Sequence, residues 1–434
     1  MALVSRQLNP NRSSALDVFR GLTLAGMILV STPGGSTSYA QLEHAAWDGW
    51  TFTDLVFPSF AFIIGVALTY SLASRRARTE WRGMSIFDWI TPILLAIKSA
   101  IMLASPVPPT GGYIAFLAAI LLALLVLPQL DRRATSRGGS ASLQVIHHGF
   151  LVLALGFVWT FDVADPSGFR VLGVLQRLGI VYMVAGLIVI HTRRRGQIIW
   201  LATLLTGYWL LMKDVPTAGH AAGDLTMTGN VAGYVDRLVF GAAHLFDRQH
   251  GWDPEGLLGS IPAVATVLLG ALAGDWLRGE RTAGRRLSGL CIAGVALFAA
   301  GVALGSWFPI NKNLWSPPYV LLVGGIDCAA LAACVWLVDV KGVRKTVAPF
   351  LVLGSNSLLI YLLAGTVRHY AGEIAVGVPY ADDFGVSAWD AAYHYGFASW
   401  LSPKNASVAM AATYLGLWTL IATALYRRRV FVKI

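Results

Sequence analysis

Long apolar stretches recur along the whole of this sequence, and they constrain its fold more than any other feature. The sequence is 56% hydrophobic and 13% charged, with a mean hydropathy of +0.62. Several of the stretches reach the length of about 20 residues that an α-helix needs to cross a bilayer. They are too many for one soluble core, and a membrane β-barrel would show short alternating segments instead. The sequence therefore predicts an all-α polytopic membrane protein.

Hydropathy predicts about twelve spans, and the charges between them predict an orientation. The predicted spans are residues 15–31, 53–73, 87–104, 113–130, 144–161, 171–191, 197–213, 256–276, 287–306, 318–339, 347–368 and 406–426. Alternate connections hold most of the 33 Lys and Arg residues, at 75–78, 132–133, 193–195, 281–286, 341–345 and 427–429. Because basic residues concentrate in cytoplasmic connections, we expect these connections and both termini to be cytoplasmic.

The net charge of +10 would suggest a nucleic-acid partner in a soluble protein. Here the basic residues follow the predicted topology, so we expect a lipid bilayer as partner and no nucleic acid. The three cysteines fall in apolar spans and show no zinc spacing, and no phosphate-binding glycine loop or His-Glu-x-x-His occurs. We therefore expect no metal.

The sequence predicts a single transmembrane domain over residues 1–434. Residues 214–255 and 370–405 are long connections on the side opposite the basic ones. They are rich in Gly, Trp and Tyr, including an amphipathic stretch over residues 231–246. Such aromatic content argues against disorder, so we interpret both as external caps over a cavity.

The segment 42–58, between the first two spans, concentrates polar chemistry at a membrane boundary. It contains one histidine, three acids and two tryptophans. His44 has an unperturbed pKa of about 6.5, which suits proton transfer near neutral pH, although an interfacial histidine can also be structural. Trp47 and Trp50 are either interfacial anchors or walls of a sugar or acyl pocket. Asp48 lies between them.

Two acids near the starts of the first two spans each allow two interpretations. Asp54 can cap the N-terminus of the second span, or it can hydrogen-bond the imidazole of His44 and fix its tautomer. Asp17 and Arg20 stand one helical turn apart, which favours an ion pair, while a phosphate-binding role for Arg20 is the alternative.

Further polar residues occur within or beside later spans. Arg177 falls inside the sixth span, where a buried arginine needs a carboxylate or phosphate partner. Glu255 belongs to an acidic turn that leads into the eighth span, and Asn356 interrupts the eleventh, where it serves either ligand binding or an interhelical hydrogen bond. Lys312 stands between Asn311 and Asn313, where it could hold an anionic or hydroxylated ligand.

Six motifs together resemble the membrane acetyltransferases typified by heparan-α-glucosaminide N-acetyltransferase and its bacterial homologues. They are Ser14–Thr23, His44–Thr51 with Asp54–Pro58, Val174–Gly179, Asp253–Gly256, Asn311–Trp315 and Asn356–Ser357. The resemblance implies that cytosolic acetyl-CoA donates its acetyl group to an amino sugar, with His44 as the catalytic residue. It also suggests a homodimer and a location in a bacterial inner membrane.

On this resemblance His44 is the general base or a transient acetyl carrier, and Asp54 orients it. Candidates for binding CoA are Arg20, Arg177, Lys312, Asn311 and Asn313. Candidates for binding the acceptor are Trp47, Asp48, Trp50, Glu255 and Asn356.

Two departures from the family pattern stand out. Ser31 replaces an asparagine that the family usually carries, and its hydroxyl could still donate to an oxyanion. Residues 87–130 read as an inserted helical hairpin. Two other classes of function therefore remain open: a sugar or small-molecule transporter or transport partner, and an inactive membrane scaffold.

Overall fold

The computed structural model describes residues 13–76, 86–103, 111–135, 141–160, 170–380 and 383–432. Its α-helices are α1 Ser14–Ser31, α2 Phe52–Arg76, α3 Ile86–Leu103, α4 Gly111–Thr135, α5 Ala141–Thr160, α6 Val174–His191, α7 Arg194–Asp214, α8 Val231–Phe240, α9 Ser260–Arg278, α10 Ala283–Leu304, α11 Pro317–Val335, α12 Ala348–Ser355, α13 Ser357–Glu373, α14 Ala388–Tyr393 and α15 Pro403–Arg427. The basic residue Arg78 and the connection between the fifth and sixth predicted spans, residues 162–170, lie wholly or mostly outside the described residues.

Each predicted span falls on a helix, but the predicted number of spans is only partly reproduced. Among the described residues, eight helices are long and apolar enough to cross a membrane, and α12 with α13 makes up to nine. The apolar parts of α3 and α4 are shorter, and α7 carries charged residues at both ends. This is the architecture of a polytopic helical membrane protein.

Two local features depart from the sequence prediction. The predicted eleventh span is bent by 85° between α12 and α13. The bend lies at Asn356, whose backbone is non-helical, with φ −132° and ψ 35°. In addition, the segment 370–405 contains an antiparallel strand pair, β1 Ala375–Tyr380 and β2 Asp383–Ser387, which an all-α prediction does not include.

The chain divides into two compact units, the first comprising residues 1–60 and 329–433. In this unit α1 packs against α12 at very close range. A Cβ on Gly21 would lie 1.8 Å from the carbonyl oxygen of Phe350, and one on Gly354 equally close to that of Asp17. Only glycine permits such backbone contact. The core is completed by aromatic residues of α14 and α15, among them Trp389, Tyr414 and Trp418.

The second unit comprises residues 61–328. Here the latter part of α2 packs on α9, again through glycines, since a Cβ on Gly65 or Gly270 would lie 1.9 Å from a carbonyl oxygen of the other helix. The helices α3 and α4 share an apolar cluster with α5 that includes Leu95, Leu124 and Phe157. The proposed hairpin at 87–130 thus has a packed face, while its connection at 104–110 lies outside the described residues.

Candidate active site

Asp54 organises the loop that precedes α2, which we call the His44 loop (residues 32–51). Its carboxylate is buried, with 2% of the side chain exposed. Oδ2 accepts hydrogen bonds from the backbone amides of Ala45 and Thr51, at 3.1 and 3.0 Å. It also lies 3.1 Å from Oγ1 of Thr51, which shares its proton between Asp54 and the carbonyl of Glu43 at 2.6 Å. The bond to the amide of Thr51, three residues back, is that of a capping box at a helix N-terminus.

The other oxygen of the same carboxylate contacts His44. Nδ1 of His44 lies 2.6 Å from Oδ1 of Asp54. Because three donors already point at Asp54, its carboxylate serves as an acceptor and Nδ1 carries the shared proton. The lone pair of the neutral imidazole is then on Nε2, and 57% of the side chain is exposed. Asp54 therefore caps α2 and fixes the tautomer of His44 at once, so both interpretations of the sequence apply.

Through Nδ1, two other histidines of the described chain pair with aspartates at similar distance, while a third, His147, lies 3.3 Å from Asp88 through Nε2. Nδ1 of His220 is 2.8 Å from Asp224, and Nδ1 of His250 is 2.8 Å from Asp247. Their carboxylates are exposed by 21% and 24%, against 2% for Asp54. A buried charge interacts more strongly with its partner than an exposed one, because water screens it less. His44 is the histidine, of the three paired through Nδ1, that is held by a buried carboxylate.

Contacts with distant residues of the first unit hold the His44 loop in place. Tyr39 donates its hydroxyl to Oδ1 of Asn405 at 2.6 Å, and Trp389 donates its indole N–H to the carbonyl of Pro33 at 3.1 Å. Gly34 lies against the ring of Tyr393, where a Cβ would come within 2.3 Å of a ring carbon. These contacts join residues more than 350 positions apart, and the sequence offered no signal for them.

The remaining candidates near His44 differ in accessibility. Trp47 is half-buried, whereas Asp48 and Trp50 are exposed. Ser31 is exposed at the end of α1, where its hydroxyl contacts Sδ of Met27 at 3.5 Å, one turn back along the same helix.

The predicted ion pair in α1 forms, with Nη1 of Arg20 3.1 Å from Oδ1 of Asp17.

Asn356 is buried, and its side-chain amide hydrogen-bonds to the C-terminal segment. Nδ2 donates to the carbonyl of Val430 at 2.9 Å, and Oδ1 accepts from the amide of Val432 at 2.8 Å. For Asn356 these contacts favour the structural alternative.

In the second unit the other candidates meet in a buried charge cluster. Arg170 donates from Nε to Oδ2 of Asp253 at 2.8 Å, and its Nη2 contacts both Asp253 and Glu255. The carboxylate of Asp253 also accepts the amides of Phe246 and Glu255, at 2.9 and 2.8 Å. The acidic turn before α9 is therefore tied to Arg170, four residues before the start of α6.

Arg177 belongs to the same cluster and is 1% exposed. Its Nη2 donates to the carbonyl of Gly256 at 2.9 Å, and its Cζ lies 4.9 Å from the centre of the Trp315 ring. Nε and Nη1 have no hydrogen-bond partner in the described structure. Trp315 has a φ of 51°, a conformation that bulky residues rarely adopt.

Asp236 is the member of the cluster that the sequence did not indicate. It lies in α8, is 1% exposed, and accepts the amide of Leu257 at 2.8 Å through Oδ1. Its Oδ2 has no partner among the described residues. Burial, reinforced by the negative charge of Asp253, raises the pKa of Asp236 to about 7. We call Arg170, Arg177, Asp236, Asp253 and Glu255 the arginine cluster.

Lys312 contributes to the electrostatics of this cluster. Burial alone would raise the pKa of Glu255, but the positive charges of Arg170, Lys312 and Arg177 hold it below its usual range. Asn311, next to Lys312, is fully buried and uses its side-chain oxygen to accept the amide of Leu314 at 2.8 Å, while Asn313 is half-buried. Asn311 thus closes the turn that presents Lys312.

The candidates thus fall into two groups according to the unit that holds them. The first unit brings His44 and Asp54 into contact, and its other candidates are Ser31, Arg20, Trp47, Asp48, Trp50 and Asn356. The second unit holds Arg177, Glu255, Asn311, Lys312 and Asn313. Tyr39, Asn405 and Asp236 are the additions that sequence reasoning missed.

Comparison with known proteins gives relatives of one kind. No family model matches the sequence. The chain is 28% identical over 477 residues to heparan-alpha-glucosaminide N-acetyltransferase of Homo sapiens, an alignment that covers 98% of this chain and 60% of the relative. It is 28% identical over 455 residues to the Mus musculus protein of the same name, with 99% and 62% covered. The chain thus spans about three fifths of the length of these relatives. The resemblance drawn from the six motifs is confirmed: the chain is similar in sequence to heparan-α-glucosaminide N-acetyltransferases.

Proposed function

We propose that this chain is a transmembrane acyltransferase that moves an acetyl group from cytosolic acetyl-CoA to an amino sugar or a related acceptor. The observation that carries the proposal is the contact between His44 and the buried carboxylate of Asp54. An imidazole held in one tautomer by a buried aspartate is the general-base arrangement of acyl-transfer enzymes. The names of the relatives support the same class of reaction.

In the proposed step, the acceptor's amine nitrogen or hydroxyl oxygen attacks the thioester carbonyl, and Nε2 of His44 takes the proton from that nitrogen or oxygen. The carbon–sulfur bond then breaks, and the imidazolium returns the proton to the departing thiolate of CoA. Asp54 stabilises the imidazolium, because its carboxylate is buried and already ordered by three other donors. In the alternative route Nε2 itself attacks the thioester carbonyl, and the carbon–sulfur bond breaks to release the thiolate of CoA. The acceptor then attacks the acetyl-imidazole, passes its proton to that thiolate and releases Nε2.

We assign the remaining residues by their accessibility and charge. Ser31 is exposed and would donate its hydroxyl to the oxyanion. Trp47, Asp48 and Trp50 would contact the acceptor. Arg20, Arg177 and Lys312 would attract the phosphates of CoA, Asn313 would bind CoA beside Lys312, and Glu255 would contact the acceptor. Asn311 and Asn356 bond backbone groups, so we assign them to support of the fold.

We further propose that the basic connections and both termini are cytoplasmic, in a bacterial inner membrane, with the His44 loop on the opposite side. The charge distribution along the sequence supports this orientation. Transfer of an acetyl group alone avoids moving the large, polar CoA across the bilayer. Three further expectations stay predictions. The chain forms a homodimer, residues 87–130 are an insertion, and residues 214–255 and 370–405 are external caps over a cavity.

The decisive experiment is thiol release from acetyl-CoA by the purified chain, with and without glucosamine. We expect release to depend on the acceptor and to fall at least about a thousandfold in His44→Ala. His250→Ala is the matched control, since it removes another exposed histidine paired with an aspartate, and it should keep wild-type turnover. If the wild-type chain neither binds CoA nor releases thiol, the transporter and scaffold interpretations replace this one.

A further inference from the structure

The helix α8 in the second unit turns its polar side toward the protein. Asp236 is buried, and its Oδ1 accepts the amide of Leu257 at 2.8 Å. Arg237 also points inward, where Nη1 and Nη2 donate to the carbonyls of Gly251 and Thr228 at 2.9 and 3.1 Å. Both charged residues of this helix therefore make internal contacts.

The opposite side of α8 is apolar and faces outward. Leu238 is 73% exposed and Val239 is 55% exposed. Tyr234 and Val235 precede them by one helical turn, so they lie on the same side, where they are half-buried. None of these four side chains carries a charge.

This arrangement is the reverse of what a helix on a soluble protein shows. Such a helix places its apolar side on the core and its charged residues in water. Scattered exposed aliphatic residues are common on soluble proteins and need no explanation. In α8, however, the exposed aliphatic residues form one side of a helix whose charged residues are inside. An outward surface of this kind fits an apolar surrounding.

Contacts of α8 place it beside the ends of membrane-spanning helices. Phe240 packs against the apolar cluster that α3, α4 and α5 share. The carbonyl of His244, just after α8, accepts the amide of Val171 at 3.1 Å, three residues before α6 begins. Leu257, which donates to Asp236, lies three residues before α9 begins. Because α5, α6 and α9 are long and apolar enough to cross a membrane, α8 lies at the level where these spans end.

The length of α8 limits how it can meet the bilayer. Its 10 residues make a helix of about 15 Å. The hydrocarbon core is about 30 Å thick, so α8 is too short to cross it. Short helices with one apolar side instead lie in the boundary between headgroups and acyl chains, with that side buried about 5–10 Å deep.

We propose that α8 is an interfacial helix, with Tyr234, Val235, Leu238 and Val239 inserted among the phospholipids of one leaflet. Lipid is the occupant of this surface because the helix packs on the ends of spans and presents four uncharged side chains outward. The buried side of the same helix holds the turn before α9 through Asp236, so contact with the leaflet would stabilise that turn. The proposal does not depend on the proposed acyl transfer.

The test measures the depth of spin labels on the full chain in nanodiscs. The exposed native Cys291 is replaced by alanine, and this background serves as the blank for the buried Cys328 and Cys334. Labels are then placed through Leu238→Cys and, in a second protein, Val239→Cys. Both positions are exposed, so the internal contacts of α8 stay intact.

Two further labelled variants calibrate the measurement. Val295→Cys, near the middle of the apolar helix α10 and 72% exposed, is the control for acyl chains. Ala221→Cys is the control for water, because Ala221 is exposed in the turn that His220 and Asp224 close. Power saturation compares collisions of each label with oxygen, which concentrates in lipid, and with nickel–EDDA, which stays in water.

We expect the oxygen-to-nickel collision ratio at residues 238 and 239 to lie between the two controls, and at least about threefold above that of Ala221→Cys. A ratio equal to that of Ala221→Cys would place this side of α8 in water and overturn the proposal. Low collision with both reagents would show that protein covers the helix, either a second copy of the chain or another of its segments, and would overturn the proposal as well.

Discussion

The His44 loop and the arginine cluster both depend on buried carboxylates, but they differ in what those carboxylates support. In the loop, Asp54 is buried and its partner His44 is 57% exposed, so the ordered group holds an accessible one. In the cluster, Arg177, Asp236, Asp253 and Glu255 are all at most 5% exposed. In the His44 loop an exposed imidazole can exchange a proton with a substrate. In the arginine cluster the charged side chains are buried and interact mainly with one another.

The first prediction tests whether Asp54 acts electrostatically on His44. Asp54→Asn keeps an oxygen acceptor for the capping bonds but replaces the charge and presents an amide N–H₂ to Nδ1. We expect turnover to fall by about 10²–10⁴-fold, because the imidazole loses both its preferred tautomer and the stabilisation of its protonated form. Thiol release from acetyl-CoA measures the effect.

Glu43→Gln is the matched control, since Glu43 is an exposed acid beside His44 whose oxygen accepts the amide of Ser38 at 3.1 Å. It should retain turnover within about threefold. Equal losses in both variants would mean that general negative charge, and not the Asp54 contact, supports the reaction.

The second prediction concerns the arginine cluster, where the expected effect is on stability. Arg170→Ala leaves Asp253 and Glu255 buried without their main partner, which should lower the free energy of unfolding by about 3 kcal/mol. Thermal unfolding of the purified protein in detergent measures the change. Arg285→Ala, at an exposed position near the start of α10, should leave the unfolding temperature unchanged.

Neutralising the two carboxylates should partly reverse this loss. The variant Arg170→Ala/Asp253→Asn/Glu255→Gln removes the uncompensated charges, so we expect it to be more stable than Arg170→Ala alone. If it is less stable, the contribution of Arg170 is packing against Phe246, 4.8 Å from its Cζ, and not charge.

The third prediction follows from the raised pKa of Asp236, about 7 in the folded protein against about 3.9 for an ordinary aspartate. Between these values the folded state binds a proton that the unfolded state does not. The free energy of unfolding therefore falls as pH rises from about 4 to about 7, by up to about 4 kcal/mol. Asp236→Asn should flatten this decline, as measured by unfolding temperatures at pH 5, 6, 7 and 8.

The surroundings of Asp236 set the expected size of that effect. The charges of Arg177 and Arg237 lower its pKa, while Asp253 raises it. Asp247→Asn is a suitable control, because Asp247 is a half-buried aspartate: burial would raise its pKa, but hydrogen bonds from His250 and the charge of that residue hold the pKa below its usual range. An unchanged pH profile in Asp236→Asn would show that another group dominates.

The same comparison shows which parts of the molecule the sequence could predict. Hydropathy located the helices, and both contacts of Asp54 were anticipated because His44 is only ten residues away. Arg170 meets Glu255 across 85 positions and Tyr39 meets Asn405 across 366. Contacts at such separation depend on how helices pack, which hydropathy does not specify. Asp236 looked like an ordinary polar residue of an amphipathic helix, and nothing local marks it as buried.

The bend at Asn356 and the strand pair at 375–387 were also missed by the sequence prediction. A polar residue within an apolar run is compatible with a continuous helix. What breaks the helix is the bonding of Asn356 to the backbone of Val430 and Val432, more than 70 residues later. The bend therefore rests on a tertiary contact, whereas the strand pair forms locally, between neighbouring segments of the chain.

The smallest expected effect lies at Ser31, where the chain departs from the family asparagine. The hydroxyl is exposed, and its hydrogen-bond partner among the described residues is the weak acceptor Sδ of Met27, so Ser31→Ala should change the free energy of unfolding by less than about 0.5 kcal/mol. If the hydroxyl donates to the oxyanion, its loss should lower turnover about fivefold to tenfold, the effect of one neutral hydrogen bond. Ser31→Asn supplies a longer donor and should restore or exceed wild-type turnover. Thiol release for all three proteins decides between these outcomes: equal rates would remove Ser31 from the site and leave His44 and Asp54 to carry the chemistry.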